Sequence, residues 1–308
     1  MPVRTSFHHA RARSSGLALF TLAGILWGTG GLAGSLLASR AGLHPVAVAA
    51  HRLILGGVLI TGYALVSGRL RTVRPGRASL VRVAGTGALL AVFQSAYFAA
   101  VAAMSVGLAT LTTMVAVPVL VTAGSAVLDR VRPGLPACVA VAIAVLGLVL
   151  LLGAPGGPGG NRVTGTVFAL VAAVGFAVLT LDPRPDLPGL DRIALAGFGF
   201  LAGGLFLLPA GIVTGMAVPL RGDTVGAVVF LAVVPTAVPY VAYFAALGRG
   251  RPGGAVAAVL LEPLTATVLA AAISGEPLAG TRLVGGALVL ASIVPASITS
   301  RRAGEARG

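Results

Sequence analysis

Long apolar segments separated by short polar gaps are the main pattern along this chain. A helix that crosses a bilayer needs about 20 mostly apolar residues, and ten segments meet that requirement. The predicted spans are residues 16–38, 44–66, 80–103, 107–128, 135–153, 163–181, 192–215, 224–247, 253–273 and 280–299. Several gaps place Pro and Gly beside Arg, as in Arg74-Pro75-Gly76 and Arg251-Pro252-Gly253, which is typical of turns. The pattern predicts an all-α polytopic membrane protein with ten transmembrane helices.

The composition excludes most other classes of protein. Of the 308 residues, 57% are hydrophobic and 10% are charged, and the mean hydropathy is +1.00. Soluble domains carry about 25% charged residues, and one soluble core could not bury this much apolar surface. We therefore exclude a soluble enzyme, a disordered chain and a nucleic-acid-binding domain. A transmembrane β-barrel is also excluded, because its strands would alternate polar and apolar residues.

The basic residues indicate how the spans are oriented. The net charge is +14 and the chain contains no lysine, so every basic side chain counted in it is an arginine. Counted over alternate gaps, 17 arginines fall on the side of the two termini and 4 on the opposite side, while Arg52 lies within a span. Because cytoplasmic loops carry the excess of Lys and Arg, the split predicts a protein of the cytoplasmic membrane with both termini in the cytoplasm.

The chain also repeats itself. Ala96-Tyr97-Phe98-Ala99-Ala100 recurs 146 residues later as Ala242-Tyr243-Phe244-Ala245-Ala246. Two further pairs follow in order at almost the same offset, Gly107 with Gly253 and Pro118 with Pro263. Each half then has five spans, and an odd number makes the halves enter the membrane in opposite directions, as in many secondary transporters. The predicted divisions are a tail 1–15, a first repeat 16–153, a linker 154–162, a second repeat 163–299 and a tail 300–308.

Five short elements occur in order along the chain. They are Ile25-Leu26-Trp27-Gly28, Arg52 after His44-Pro45, the repeated Tyr-Phe-Ala-Ala element, Leu261-Glu262-Pro263-Leu264, and Ser274-Gly275-Glu276-Pro277-Leu278. Together these elements resemble EamA-type transporters of the drug/metabolite transporter superfamily over nearly the full chain. The chain departs from the family pattern at Val127-Leu128-Asp129-Arg130, which lacks Gly-Glu, and at Gly175-Phe176, where a tryptophan often lies. The resemblance implies export or exchange of small metabolites, such as amino acids or drug-like compounds.

Catalytic chemistry has little support in the sequence. The four histidines form no His-Glu-x-x-His arrangement, and a single cysteine cannot build a zinc cluster. Without lysine the chain has no nucleotide-binding P-loop of the Walker type. We therefore expect neither an enzyme nor a protein with a metal or organic cofactor.

Two charged residues within spans are the first candidates for a substrate or coupling site. Glu262 lies near the middle of span 9, where a carboxylate must face the bundle interior, be paired, or be protonated. Arg52 lies about 12 Å into span 2. It pairs with Glu262, binds an anionic substrate group, or extends its guanidinium to the outer interface. Structural roles remain open for both residues.

Polar aromatic positions add further candidates. Gln94 and Tyr97 share a face of span 3 because they are three residues apart, and the repeat relates them to Tyr240 and Tyr243 on span 8. Trp27 lies too deep in span 1 for an interfacial belt, so a cavity and core packing both stay open. The candidate helix breaks are Pro118, Pro263, Pro235 and Pro239.

The sequence favours a secondary transporter that works by alternating access on a small-molecule substrate. A passive channel or a non-transporting membrane scaffold or auxiliary subunit are the alternatives. The expected partners are the substrate and the lipid bilayer, not nucleic acid, and a homodimer is left open.

Overall fold

The computed structural model describes residues 3–128, 134–153, 161–181, 187–247, 252–274, 280–281, 283–288 and 291. The regular elements in these ranges are helices, and none of the described residues lies in a strand. The predicted linker 154–162, the Gly-Glu turn after Ser274 and the C-terminal tail fall mostly or wholly outside this part of the chain.

Eleven α-helices account for most of the described residues. They are α1 (Val3–Gly28), α2 (Gly30–Ala41), α3 (Pro45–Val66), α4 (Arg77–Ala103), α5 (Val106–Leu128), α6 (Leu135–Gly153), α7 (Arg162–Thr180), α8 (Arg192–Thr214), α9 (Gly222–Ala232), α10 (Val238–Leu247) and α11 (Pro252–Ser274). A 3₁₀ turn, Arg69–Thr72, follows α3, and a π-helix, Val233–Ala237, joins α9 to α10.

Seven segments of the described chain are long and apolar enough to cross a membrane. They are Gly16–Ala41, Pro45–Val66, Arg77–Ala103, Val106–Leu128, Arg162–Thr180, Arg192–Thr214 and Gly222–Ala246. These segments coincide with predicted spans 1 to 4 and 6 to 8. In predicted spans 5 and 9 the structure has helices α6 and α11, whose apolar stretches Cys138–Gly147 and Leu261–Ile273 are shorter. Predicted span 10 lies mostly outside the described residues, so the count of ten stays a prediction.

Local sequence explains where several helices begin and end. Helix α3 begins at Pro45, which needs no N–H partner in the first turn, and the His44 side chain accepts a hydrogen bond from the Val46 amide. Helix α2 ends at Gly42, whose φ of 66° is left-handed and therefore suits a residue without Cβ. The first predicted span contains parts of two helices, α1 and α2, which are separated only by Thr29, whose backbone stays in the right-handed helical region.

The chain divides into two compact units, each of which combines segments from both halves of the sequence. The first unit comprises residues 1–91 and 185–266, and the second comprises 92–184 and 267–308. The predicted repeats 16–153 and 163–299 are thus a different division of the chain from its compact units.

Helices α3 and α8 form the most extensive helix contact of the first unit. Glycine permits their close approach. A Cβ on Gly57 would lie 2.7 Å from the Leu201 amide nitrogen, and one on Gly197 would lie 2.9 Å from the Thr61 amide nitrogen. Small residues at such crossings let backbones approach and gain van der Waals contact, which is the main source of helix association in a membrane.

In the second unit, helix α5 packs against both α6 and α7. Ala116 and Val117 of α5 are buried against Ala173 of α7. Pro118 lies inside α5 without ending the helix.

Candidate functional site

The break in the Gly222–Ala246 span is built on two prolines. In an α-helix the amide of residue 235 would donate to the Leu231 carbonyl, and that of residue 239 to the Pro235 carbonyl. Pro235 and Pro239 have no N–H to donate. At this point the chain forms the π-helix Val233–Ala237. Pro235 lies within this π-helix and Pro239 follows it, and the prediction that the two prolines kink the span stays a prediction.

Side chains donate hydrogen bonds to the two carbonyl groups that lack an amide donor because of the prolines. The Thr236 hydroxyl donates to the Leu231 carbonyl at 2.7 Å. Arg52 of α3 donates from Nη2 to the Pro235 carbonyl at 3.1 Å, and from Nε to Thr236 Oγ1 at 3.1 Å. Arg52 is only 6% exposed and Thr236 is fully buried. Arg52 therefore does not extend to the interface, and the structure ties it to span 8.

Two glycines leave room for this network. A Cβ on Gly30 would lie 3.2 Å from both terminal nitrogens of Arg52, and one on Gly56 would overlap the Thr236 methyl group. The Arg52 guanidinium and the Thr236 methyl group fit between the helices because α2 and α3 present no side chain at Gly30 and Gly56.

The predicted aromatic residues of the first unit lie together beside the π-helix. The Trp27 ring centroid is 5.3 Å from that of Tyr240 and 5.2 Å from that of Tyr243. Phe200 packs edge-on against Tyr240, and Phe20 against Tyr243. We call Trp27, Tyr240, Tyr243, Phe20 and Phe200 the aromatic cluster. Such edge-to-face pairs contribute beyond their area burial, because ring edges and faces carry opposite partial charge.

Trp27 brings an unused hydrogen-bond donor to the cluster. Its Nε1 is buried and has no hydrogen-bond partner among the described residues. Buried indole N–H groups usually have an acceptor. The indole N–H is therefore a donor for which the described part of the chain supplies no acceptor.

Glu262 lies on α11, one residue before Pro263. Gly28 brings α1 against this helix, because a Cβ there would lie 2.6 Å from the Glu262 carbonyl oxygen and 2.5 Å from Thr265 Cβ. Glu262 is partly buried. It interacts electrostatically with Arg52 and with Tyr240. An acidic group, a basic group and the aromatic cluster thus occupy one region of the first unit.

Gln94 and Tyr97 belong to the second unit. Gln94 is 1% exposed and Tyr97 is 5% exposed, so both side chains are buried. The Tyr97 hydroxyl and Thr110 Oγ1 are 2.7 Å apart and share a hydrogen bond. The prediction that this face meets Tyr240 and Tyr243 stays a prediction.

Four site residues were missed from the sequence: Thr236, Thr110, Phe20 and Phe200. Thr236 had a signal, since a threonine between two prolines four residues apart can supply a donor to a carbonyl that lacks its amide donor. The other three had none, because an isolated Thr or Phe in an apolar span has the same pattern wherever it packs.

The outer surfaces of these helices match a hydrocarbon environment. Many large apolar side chains are more than half exposed, among them Leu17, Val58, Val167, Leu205, Val229 and Val268. Apolar helices with exposed apolar faces and with charged residues drawn inward define a multi-pass membrane protein.

Comparison with known proteins gives the family. The EamA-like transporter family matches the chain twice, over residues 14–153 and 163–298, and the chain belongs to this family. The resemblance drawn from the motifs is thereby confirmed. Members of the family are transporters, and a transporter is what the sequence favoured over an enzyme.

Two individual proteins are similar over most of the chain. An uncharacterised inner membrane transporter of Salmonella typhimurium, YicL, is 23% identical over 262 residues, which cover 82% of this chain and 85% of that protein. One crystal structure matches 94% of this chain and 99% of its own, with a TM-score of 0.63 and 26% sequence identity.

Proposed function

We propose that this protein is a secondary transporter that exports or exchanges a small metabolite across the cytoplasmic membrane by alternating access. The observation that carries the proposal is that the buried Arg52, the partly buried Glu262 and the aromatic cluster occupy one region within apolar helices. Ionisable residues inside a membrane are costly and mark substrate or ion pathways. Family membership supports the same class of function.

The proposed architecture is ten spans in two inverted five-span repeats, with both termini in the cytoplasm. Its support is the arginine distribution, the offset of 146 residues between the two Tyr-Phe-Ala-Ala elements, and the two separate family matches. Helices α6 and α11 lie where the fifth and ninth spans are expected.

In the proposed mechanism Glu262 is the coupling residue and the aromatic cluster contacts the substrate. A carboxyl group can take up and release a proton as the transporter changes conformation, while Trp27 Nε1 donates to an acceptor on the substrate. Gln94 and Tyr97 are proposed as further polar contacts. A proton-coupled cycle would make transport depend on pH through the Glu262 carboxyl, on which Arg52 and Tyr240 act electrostatically.

A metabolite-efflux screen tests the transporter itself. Cells that overexpress the chain should release at least one small metabolite faster than vector controls, and an uncoupler of the proton gradient should abolish the difference. If no compound distinguishes the two strains, the chain is a scaffold or an auxiliary subunit. Release that persists unchanged with the uncoupler would indicate a channel or an uncoupled exchanger.

Glu262→Gln tests the coupling role in proteoliposomes. The amide keeps the shape and the hydrogen bonding but cannot titrate, so we expect proton-coupled transport to be impaired and its pH dependence to disappear. The matched control is Asp223→Asn, a similar change at a half-exposed acidic residue of α9 that pairs with Arg221. Equal pH dependence in Glu262→Gln and wild type would reduce Glu262 to a structural residue.

A further inference from the structure

The π-helix determines which residues of α10 face Trp27. An α-helix turns by about 100° per residue, and a π-turn takes up one extra residue. If the Val233–Ala237 turn closed to α-helical geometry, every later position of the span would rotate by about 100°. Tyr240 and Tyr243 would then leave the positions in which their centroids lie within 5.3 Å of Trp27. The aromatic cluster therefore depends on the π-turn.

Arg52 contacts this turn at two points, although it is 184 residues away in sequence from Thr236. Its Nη2 donates to the Pro235 carbonyl, to which Pro239 has no N–H to donate. Its Nε donates to the Thr236 hydroxyl, which itself donates to the Leu231 carbonyl. A planar guanidinium can make both bonds at once in a fixed geometry, whereas the ammonium of lysine acts as a point charge.

We infer that Arg52 is a positioning residue, which fixes the π-turn through Thr236 and the Pro235 carbonyl and so sets Tyr240 and Tyr243 against Trp27. The effect of this role on transport rests on the proposed function, whereas the role itself does not. Arg52 in this role shapes the substrate site and does not contact an anionic substrate directly.

The chain supplies its own reporter for this arrangement. Trp27 is the only tryptophan and lies in the aromatic cluster. The emission maximum of the purified full-length protein in detergent, and its quenching by acrylamide, therefore report on the packing of Tyr240 and Tyr243 around one indole ring.

The decisive comparison is between two substitutions of Thr236. Thr236→Val keeps the shape but removes the hydroxyl, and we expect a red-shifted emission and stronger quenching. Thr236→Ser keeps the hydroxyl and should leave both near wild type. Arg52→Lys should shift the emission in the same direction as Thr236→Val. Pro239→Ala restores an amide that competes for the Pro235 carbonyl, and should also shift it.

Pro209→Ala is the control, since Pro209 is an exposed proline inside α8 of the same unit and should not alter Trp27 emission. Wild-type emission and quenching in both Thr236→Val and Pro239→Ala would overturn the inference, as would an equal shift in Thr236→Ser. Thr236→Val and Pro239→Ala test the inference even if the Arg52 variants fail to fold.

Transport separates this inference from the proposed function. If the efflux screen finds a substrate, Thr236→Val should raise the KM for that substrate. Thr236→Ser should keep the KM near its wild-type value. A shifted emission with wild-type KM would overturn the positioning role. If the wild-type chain moves no compound, the proposed function fails, while the fluorescence comparison still decides whether Arg52 fixes the turn.

Discussion

At the scale of single residues, the structure distinguishes among the interpretations that the sequence left open for Arg52. The sequence left three roles open for Arg52, which were to extend to the outer interface, to pair with Glu262, or to bind an anionic substrate group. Arg52 is buried and donates to a carbonyl and a hydroxyl on span 8, and it also interacts electrostatically with Glu262. Its charge is therefore stabilised by the dipoles of the Pro235 carbonyl and the Thr236 hydroxyl.

Gly28 yields a prediction at the same scale. Gly28→Ala places a methyl group against the Glu262 carbonyl oxygen and Thr265 Cβ, and neither group can move without shifting α11. Overpacking of this kind costs about 1–3 kcal/mol, so the purified protein should melt at a lower temperature. Gly62→Ala is the control, because a Cβ there meets nothing within 4 Å. Equal melting temperatures for the two variants would contradict the close approach of α1 and α11.

At the scale of elements, prolines and helix caps determine where the spans begin, break and end. Pro45 and His44 begin α3, while Pro235 and Pro239 convert part of the eighth span into a π-helix. Pro118 and Pro263 lie inside helices that continue past them. Proline therefore begins one helix, lies at the π-helix of another span and leaves two further helices intact, and at the π-helix side chains donate to the carbonyls that lack an amide donor.

Asp191 provides an element-scale prediction at the start of α8. Its carboxylate accepts from the Ile193 amide at 2.9 Å and from Arg69 Nη1 at 3.0 Å. Asp191→Ala should lower stability by about 1 kcal/mol, the usual cost of a lost N-cap. Asp191→Asn keeps the cap and should lose less, because a half-exposed ion pair contributes little. Thermal unfolding and amide exchange in the first turn of α8 would measure both effects. An equal loss in the two variants would assign the stability to the ion pair.

At the scale of the whole molecule, the sequence repeat and the compact units divide the chain differently. The family matches fall on residues 14–153 and 163–298, whereas each compact unit takes segments from both of these ranges. Helices from the two halves therefore pack together within one unit, as α3 and α8 do.

The orientation of the spans is the prediction that belongs to this scale. Reporter fusions after Arg40 and Arg162 should report the outside of the cell, and fusions after Arg77 and Arg302 the cytoplasm. The reason is the 17 to 4 split of the arginines in the gaps and at the adjoining span ends. A cytoplasmic signal at Arg162 would remove both the topology and the inverted repeat.

The sequence by itself determined the class of protein, the positions of seven spans and the family. These properties follow from hydropathy and local motifs, which add up along the chain and need no knowledge of what packs where. It also singled out Arg52, Glu262, Trp27, Tyr240 and Tyr243, because polar and aromatic groups deep in apolar helices are rare. Only the tertiary structure decided that Arg52 binds the π-turn, that Gly28 lies against Glu262, and that Trp27 meets the two tyrosines. Each of these contacts joins helices far apart in sequence, and it depends on their rotation and spacing, which no local pattern specifies.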